Sequence, residues 1–289
     1  MKVLIIGSNG QLGHELIYTR PEKLDLYAVD IDSLDITDPL QVDKNIAELK
    51  PDVVINGAAY TAVDKAESDT NAAFMVNKTG PENIARACHA AGCRLIHVST
   101  DFVFDGNSPL PYLPETTPRP LNVYGKSKHQ GEEAVIRETK GDVLIFRTAW
   151  VYSAHGSNFV KTMLNLMRTK EQLGVIYDQA GSPTWARTLA KTIWTAAVAY
   201  PKSKGIYHWT DAGVASWYDF AVTIQSEALA LGLLNKEIPI MPIRTSQYPT
   251  PAKRPAYTVL DCSATWEDFS LNSSHWRVSL KEMLQGTLS

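Results

Sequence analysis

The sequence has few cysteines, little net charge and no long apolar run, and each of these excludes a class of protein. Its 289 residues include only Cys88, Cys93 and Cys262, with neither the number nor the pattern of a disulfide framework or a zinc site. The formal net charge of −3 gives no sign of a nucleic-acid partner or an anionic membrane surface. No apolar stretch reaches transmembrane length, and the first apolar run is too short for a signal peptide. We therefore expect a globular cytoplasmic protein with no nucleic-acid or membrane partner.

The N-terminal segment carries three glycines between a predicted strand and a predicted helix. Residues 1–6 form a short apolar run typical of a buried strand, and a helical segment follows from His14. Between them, Gly7, Gly10 and Gly13 form the pattern G-x-x-G-x-x-G. Such glycines permit a tight turn, close approach of the backbone to a pyrophosphate, and tight packing of the helix, whose N-terminus receives the phosphate. A ligand-free glycine turn is the plain alternative, but the strand and helix on either side indicate a dinucleotide site.

An acidic residue ends the second predicted strand, residues 26–30. The carboxylate of Asp30 would accept hydrogen bonds from a ribose 2′-hydroxyl and would repel a 2′-phosphate. No arginine or lysine stands at Ser8, Asn9 or Ile31 to neutralise such a phosphate. The sequence therefore predicts NADH or NADPH as cofactor, with NADH favoured by Asp30. An exposed aspartate at a strand end, without any ligand, is the alternative.

Tyr124 and Lys128 stand four positions apart in a predicted helix, residues 123–137. That spacing places both side chains on one helix face, one turn apart. An ammonium group stabilises a nearby phenolate, so we expect Lys128 to lower the pKa of Tyr124 and prepare it for proton transfer. The same spacing is common on solvated helices. The pair indicates catalysis only because a cofactor loop precedes it in the chain.

Strands and helices alternate through the first half of the chain, which predicts an α/β fold with a doubly wound parallel sheet of the Rossmann type. Ligands bind at the carboxyl ends of such strands, where every motif named above falls. We expect residues 1–150 to form the dinucleotide-binding domain. Residues 151–289 are predicted to be mainly a smaller, interleaved substrate-binding lobe, with some segments returning to the Rossmann sheet. Within it, residues 174–178 and 205–209 are predicted as isolated strands.

Four segments occur in an order that resembles a known superfamily. They are Gly7 to Gly13, residues 56–67 (NGAAYTAVDKAE), residues 99–106 (STDFVFDG) and residues 122–128 (NVYGKSK). Together they resemble the extended short-chain dehydrogenase/reductases that act on nucleotide sugars. Within that superfamily, residues 61–67, 178–184 and 248–255 are similar to the dTDP-4-dehydrorhamnose reductase family. The resemblance extends to about Asp261.

The resemblance implies a set of cofactor-binding residues. They lie at the pyrophosphate (Gly7, Gly10, Gln11, Leu12 and Gly13), the adenosine ribose (Asp30), the adenine (Asp35 and Ile36), the nicotinamide side (Ala58, Ala59 and Thr61) and the nicotinamide end (Tyr124 and Lys128).

The resemblance also implies the catalytic residues Thr100, Tyr124 and Lys128. Hydroxyl groups of Thr100 and Tyr124 would stabilise charge on a carbonyl oxygen while Tyr124 delivers the proton. Ser99 is the alternative to Thr100. For either residue, the non-catalytic alternative is a strand-end hydroxyl that only hydrogen-bonds to nearby backbone groups. The implied activity is NAD(P)H-dependent reduction of the C4 ketone of dTDP-4-dehydro-β-L-rhamnose, the last step of dTDP-L-rhamnose synthesis.

Thr100, Asp101, Trp150 and Arg254 are the residues implied for the dTDP-sugar substrate. Alternatively, Trp150 is a core aromatic that only packs, and Arg254 is an exposed loop arginine without a ligand. Two positions depart from the family pattern. Phe102 replaces a tyrosine, so any hydrogen bond from that phenol is missing here. Tyr257 stands where small residues are usual, so the nucleotide end of the pocket is expected to differ.

Three further points stay open on the sequence. Some relatives are magnesium-dependent or metal-bridged dimers, which keeps Mg²⁺ and a homodimer as options, but Glu15 alone makes no ligand cluster and no metal ligand is predicted. Another nucleotide-sugar reductase or epimerase is the alternative activity, whereas a dehydratase would need an acidic pair where Asp101 is followed by Phe102. A non-catalytic regulatory relative is the third alternative.

Overall fold

A computed structural model describes residues 1–287. The strands are β1 (Lys2–Ile6), β2 (Asp25–Val29), β3 (Val53–Asn56), β4 (Arg94–Thr100), β5 (Val143–Thr148), β6 (Val151–Tyr152), β7 (Leu173–Ile176), β8 (Ala180–Gly181), β9 (Thr184–Trp185), β10 (Gly205–His208), β11 (Ala215–Ser216) and β12 (Ile240–Ile243).

The α-helices are α1 (Gln11–Tyr18), α2 (Pro39–Leu49), α3 (Val63–Ala66), α4 (Thr70–Phe74), α5 (Gly80–Ala91), α6 (Val123–Glu138), α7 (Phe159–Thr169), α8 (Ala186–Val198), α9 (Trp217–Ala230), α10 (Ser263–Asp268) and α11 (Trp276–Gln285). A π-helical turn, Met75–Thr79, joins α4 to α5, and short 3₁₀ turns cover Asp101–Val103 and Thr245–Gln247. None of the helices within residues 1–287 combines the length and apolarity that crossing a membrane requires.

Six parallel strands form the central sheet, in the order β10-β5-β4-β3-β1-β2. The strand order reverses direction between β1 and β3, which is the switch point where such sheets bind ligands. Because side chains alternate across a strand, both faces of β1 and β5 are apolar and both are covered. The doubly wound Rossmann prediction is confirmed.

Helices cover the two faces of the sheet in separate apolar cores. On one face, α1 and α8 pack against the sheet through Leu16, Leu189 and Ile193. On the other, α2, α5 and α6 contribute Val42, Ile84, Val135 and neighbouring residues. Residues 70–91 are helical throughout, with the π-helical turn inside the stretch.

A second apolar core lies in the C-terminal part of the chain, formed mainly by α7, α9 and α11. It includes Met167, Phe220, Trp276 and Leu280, all fully buried. Ser216 and Asp219 close a capping box at the start of α9, each side chain satisfying a backbone N–H of the other. The segment that follows β5 joins this core, with Tyr152 inside it and Trp150 packed against it.

Strands form at both of the positions predicted in the second half of the chain, but neither strand is isolated as predicted. Residues 205–208 form β10, which pairs in parallel with β5 as an edge strand of the central sheet. Residues 173–176 form β7, which pairs with β12. Pairing between segments far apart in the chain has no local sequence signal, because a strand's backbone hydrogen bonds can go to any neighbour with matching register.

Candidate active site

The glycine loop brings the start of α1 close to the end of β3. Gly7 has φ +87°, and a Cβ there would lie 2.7 Å from the backbone nitrogen of Ala58. A Cβ on Gly13 would overlap the carbonyl oxygen of Gly7, so α1 can pack this tightly only with glycine at that position. No side chain caps the first turn of α1 at Gly10. The first-turn N–H groups are thus available to a pyrophosphate, and the loop fits the dinucleotide that the sequence predicts.

Asp30 lies at the carboxyl end of β2, beside this loop. Its Oδ2 accepts a hydrogen bond from the Asn9 backbone N–H (2.8 Å), and its Oδ1 accepts one from Ile31 N–H (2.8 Å). Two backbone donors therefore hold the carboxylate at the strand end. Its position is where a ribose hydroxyl would approach a loop-bound dinucleotide.

The predicted adenine residues, Asp35 and Ile36, follow β2. Asp35 accepts hydrogen bonds from Thr37, while Ile36 is only 5% exposed and its side chain fills the space left by Gly80. Most of Ile36 therefore belongs to the apolar core.

The segment after β3, which includes Ala58, Ala59 and Thr61, is held by two buried asparagines. Asn56 accepts from the Ala58 N–H (3.1 Å) and contacts His97 Nδ1 (3.1 Å). Asn77, in the π-helical turn, accepts from Tyr60 N–H (2.8 Å) and donates to Tyr60 C=O (3.0 Å). π-Helical turns often lie at functional sites, and this one aims an amide at the segment predicted to line the nicotinamide.

Tyr124 and Lys128 lie on the buried face of α6, one turn apart as predicted. Asn122 caps the helix by accepting from Gly125 N–H (2.8 Å), and Lys128 Nζ donates to the Val98 carbonyl oxygen (2.7 Å). The Tyr124 ring makes an edge contact with Phe102, their centroids 5.5 Å apart. Phe102, the departure from the family pattern, thus contributes an apolar wall beside the phenol.

The expectation that the pKa of Tyr124 is lowered was wrong. Burial raises the pKa of Tyr124 to about 12; a hydrogen bond with Thr100 lowers it, and the charge of Asp101 raises it. Burial also lowers the pKa of Lys128 to about 8, against the charge of Glu132. Desolvation of the phenolate therefore outweighs any help from the ammonium group, which is directed at Val98.

Thr100 ends β4 on the side of Tyr124. Its Oγ1 donates to Asp101 Oδ1 (3.0 Å) and accepts from Phe102 N–H (3.2 Å). Ser99, the alternative, lies on the opposite face of the strand beside Glu132. Burial raises the pKa of Asp101 to about 6, although hydrogen bonds from Thr258 and Thr100 oppose the shift. The structure thus brings Thr100, Asp101 and Tyr124 together and leaves Ser99 behind the strand.

Trp150 follows β5 in a left-handed backbone conformation, with φ +48°. Its indole stacks on Trp217 at 3.5 Å between ring centroids, and Gly181 leaves room for it, since a Cβ there would lie 2.7 Å from the indole. Non-glycine residues rarely adopt this conformation, and such strain is concentrated at functional sites. Trp150 is half-buried between the C-terminal core and the strand ends.

Arg254 is not free in this structure. It forms a bidentate pair with Asp64, with Nη1–Oδ1 3.0 Å and Nη2–Oδ2 2.7 Å, and Asp64 also accepts from Ala252 N–H. The pair joins the C-terminal loop to α3, and the neighbouring Lys253 carbonyl accepts from Asn122. Tyr257, the second departure, is partly buried beside Val103 and Trp150.

Glu15 is fully buried but does not stand in an acidic cluster. Arg187 of α8 donates from Nε to Glu15 Oε2 (2.7 Å), and Ser153 donates to Oε1 (3.1 Å). Within residues 1–287, no three histidine, cysteine or acidic side chains cluster closely enough to hold a metal ion.

A family model described as RmlD substrate binding domain matches residues 1–288. The chain belongs to this family. A dTDP-4-dehydrorhamnose reductase of Escherichia coli is 40% identical over 294 residues, covering 98% of this chain and 97% of the relative. A crystal structure of a dTDP-4-dehydrorhamnose reductase from Clostridium acetobutylicum, 40% identical, covers 100% of both chains with a TM-score of 0.93. The Bacillus anthracis reductase, solved in complex with NADP, is 36% identical, covers 99% of both chains and has a TM-score of 0.91.

In this RmlD-family chain, sequence reasoning missed the residues that hold the site in place. Asn56, His97 and Asn77 fix the segment after β3, and Glu132 forms a buried pair with Arg147 beneath α6. The available signal was a charged residue in an apolar context: Arg147 directly follows the apolar run Val143–Phe146, and Glu132 lies one helical turn beyond Lys128. Buried polar groups of this kind need partners, so each predicts a specific contact.

Proposed function

We propose that this protein is an NAD(P)H-dependent oxidoreductase that reduces the C4 ketone of dTDP-4-dehydro-β-L-rhamnose to dTDP-β-L-rhamnose, the last step of dTDP-L-rhamnose synthesis. The observation that carries the proposal is the meeting of Thr100 and Tyr124 at the end of β4, on the sheet edge that holds the glycine loop. The names of full-length relatives at about 40% identity support the choice of substrate.

The proposed chemistry assigns each residue a step. The glycine loop and Asp30 hold the cofactor, which when bound supplies the hydride that reduces C4. Negative charge then develops on the ketone oxygen, where the hydroxyl groups of Thr100 and Tyr124 stabilise it. Tyr124 delivers its proton to that oxygen, and Lys128 orients the nicotinamide ribose and stabilises the phenolate left behind.

The names of the full-length relatives at about 40% identity favour reduction over the epimerase alternative. Reduction uses Tyr124 as a proton donor, and burial, which raises the pKa of Tyr124 to about 12, is consistent with that role. Intact Thr100, Tyr124 and Lys128 also argue against a non-catalytic regulatory role.

The substrate is proposed to lie between the strand ends and a lobe formed mainly by residues 151–287. Asp101 contacts the sugar, Trp150 packs against it, and Arg254 exchanges Asp64 for the substrate diphosphate, since a guanidinium binds either anion in the same bidentate geometry. Residues 1–150 form the dinucleotide-binding domain in this assignment. β10 completes its sheet from the second half of the chain.

NADH is proposed as the better cofactor because the Asp30 carboxylate faces the ribose. The Bacillus anthracis relative was solved with NADP, so activity should be compared with both cofactors.

We place the reaction in the cytoplasm, and we propose a homodimer as the working assembly. Sedimentation of the purified protein measures the oligomeric state.

The test is to supply dTDP-4-dehydro-β-L-rhamnose with NADH or NADPH and follow the loss of the reduced cofactor. We expect turnover with both, identification of dTDP-β-L-rhamnose by NMR, and a loss of about 10²- to 10⁴-fold in Tyr124→Phe. Tyr18→Phe, an exposed tyrosine on α1, is the matched control and keeps full activity. No turnover with either cofactor would refute the proposal. Assays with added Mg²⁺ and with EDTA measure any metal requirement.

A further inference from the structure

Three buried side chains form one line along α6. Tyr124, Lys128 and Glu132 follow each other at intervals of four residues and are 9%, 2% and 1% exposed. Residues spaced four apart lie on the same helix face, so all three project toward the sheet. The proposed mechanism uses the first two and gives the third no role.

Glu132 is held by a guanidinium from the sheet. Arg147 donates from Nε to Oε1 (2.9 Å) and from Nη2 to Oε2 (2.7 Å), and its Nη1 donates to the Pro114 carbonyl oxygen (3.0 Å). Arg147 lies on β5 directly opposite Ser99, one position before Thr100 on β4. The pair therefore ties α6, which carries the phenol and the amine, to β5, the strand that lies next to the one carrying Thr100.

Stability alone does not explain a buried pair of this kind. Desolvating two charges offsets most of their attraction, and replacing such pairs by apolar side chains is often neutral or stabilising. An apolar replacement would fill the same space under α6. It would not place a negative charge one turn from Lys128.

Titratable and polar groups from every surrounding element face Lys128 and Glu132. They are Tyr124 and His129 on α6, His97 on β4, Arg147 on β5, His208 on β10, Asp101 after β4, and the uncharged Asn77 of the π-helical turn. Burial lowers the pKa of His97 and of His208, so both rings are neutral at pH 7. Glu82 of α5 forms an ion pair with Arg137, which lies farther along α6.

We propose that Glu132, held by Arg147, is a positioning residue for Lys128: it keeps the amine charged and seated against Val98. The inference rests on the proposed function, in which Lys128 serves the catalytic phenol. Burial pushes the pKa of Lys128 down, and the Glu132 carboxylate is the charge that raises it again. Glu132 does not touch substrate or cofactor, and it acts through Lys128.

The experiment measures the charge of Lys128 directly. The protein is labelled with ¹³C at lysine Cε, the Lys128 signal is assigned from its absence in Lys128→Met, and its titration is followed by NMR without substrate or cofactor. We expect Glu132→Gln, which keeps the shape of the side chain, to lower the titration midpoint of Lys128 by about one pH unit. Glu133→Gln, the exposed neighbour on the same helix, should leave it unchanged.

The kinetic consequence separates positioning from folding. If the midpoint falls from about 8 to about 7, the charged fraction of Lys128 near pH 7.5 falls about threefold, and kcat/KM falls with it while the value near pH 6 changes little. If Glu132 had a purely structural role, its replacement would lower kcat/KM by the same factor at both pH values. Because the NMR titration needs no turnover, it stands even where the proposed substrate is wrong.

Glu132→Gln leaves Arg147 without its partner and could fail to fold. The double variant Glu132→Gln/Arg147→Met removes both charges and keeps the volume, so we expect it to fold and still to show the lowered Lys128 midpoint. An unchanged midpoint in either folded variant overturns the proposal. So does equal loss of kcat/KM at all pH values with an unchanged midpoint.

Discussion

Lys128 should cost the protein stability, and replacing it by methionine measures that cost. Burial lowers the pKa of Lys128 from 10.5 to about 8, and each pH unit of such a shift corresponds to about 1.36 kcal/mol, so the charged amine costs about 3 kcal/mol in the folded protein. Methionine fills similar space without charge but loses the hydrogen bond to the Val98 carbonyl, which offsets about 1 kcal/mol. We therefore expect Lys128→Met to be inactive and more stable at pH 7 by about 2 kcal/mol.

The stability gained in Lys128→Met should decrease as the pH rises from 8 to 10.5. The folded-state pKa of Lys128 lies below its unfolded value, so below about pH 8 both states carry the charge and only the folded state bears its desolvation. Between pH 8 and 10.5 the folded state releases the proton first, and the cost disappears. Lys128→Met is therefore more stable than wild type by about 2 kcal/mol at pH 7. The gain is lost by pH 10.5, where the missing hydrogen bond to Val98 leaves the variant less stable than wild type by up to about 1 kcal/mol.

Thermal and urea denaturation at the two pH values make the measurement. With an unfolding entropy of about 2.1 cal/mol/K per residue, about 2 kcal/mol corresponds to a Tm increase of about 3 °C. Lys126→Met is the matched control, because Lys126 is exposed on the same helix, and it should change Tm little. A Lys128→Met protein that is no more stable than wild type at pH 7, or whose gain persists at pH 10.5, would refute the reasoning.

Three other outcomes are expected. Asp30→Asn should raise kcat/KM for NADPH relative to NADH by about tenfold or more, since a carboxylate and a dianionic phosphate about 4 Å apart repel by about 2 kcal/mol in water. Arg187→Met should lower the free energy of unfolding by about 3 kcal/mol by leaving Glu15 buried without its cation, and adding Glu15→Gln should restore most of it. Gly131→Ala places a methyl against the Asn77 carbonyl oxygen, displaces α6, and should lower kcat about tenfold or more.

Each of these has a control and a contrary result. For Asp30→Asn the control is NADH turnover, and an unchanged cofactor ratio would mean that the carboxylate does not face the ribose phosphate. The exposed pair Lys236–Glu171 is the control for Arg187, because breaking it should cost less than about 1 kcal/mol. A Cβ at Gly286 would make only ordinary van der Waals contacts, the nearest at 3.5 Å, so Gly286→Ala should leave activity unchanged. Full activity in Gly131→Ala would show that α6 tolerates displacement.

The local part of the fold follows from the sequence because its signals are local. The first two strands and the helix around Tyr124 are predicted within one residue, since apolar runs and glycine turns act over a few positions. The glycine trio predicts the phosphate loop for the same reason. The positions of Gly7, Asp30 and Thr100 at one sheet edge then follow from parallel topology alone.

What the tertiary structure decided is the environment of each predicted residue. The sequence placed Tyr124 beside Lys128 and suggested a lowered phenol pKa, whereas burial by Phe102 and its neighbours raises it. Arg254 and Glu15 look free in the sequence but are paired with Asp64 and with Arg187, more than 150 residues away. Desolvation and long-range pairing depend on what the folded chain brings into contact, and no short window of sequence contains that information.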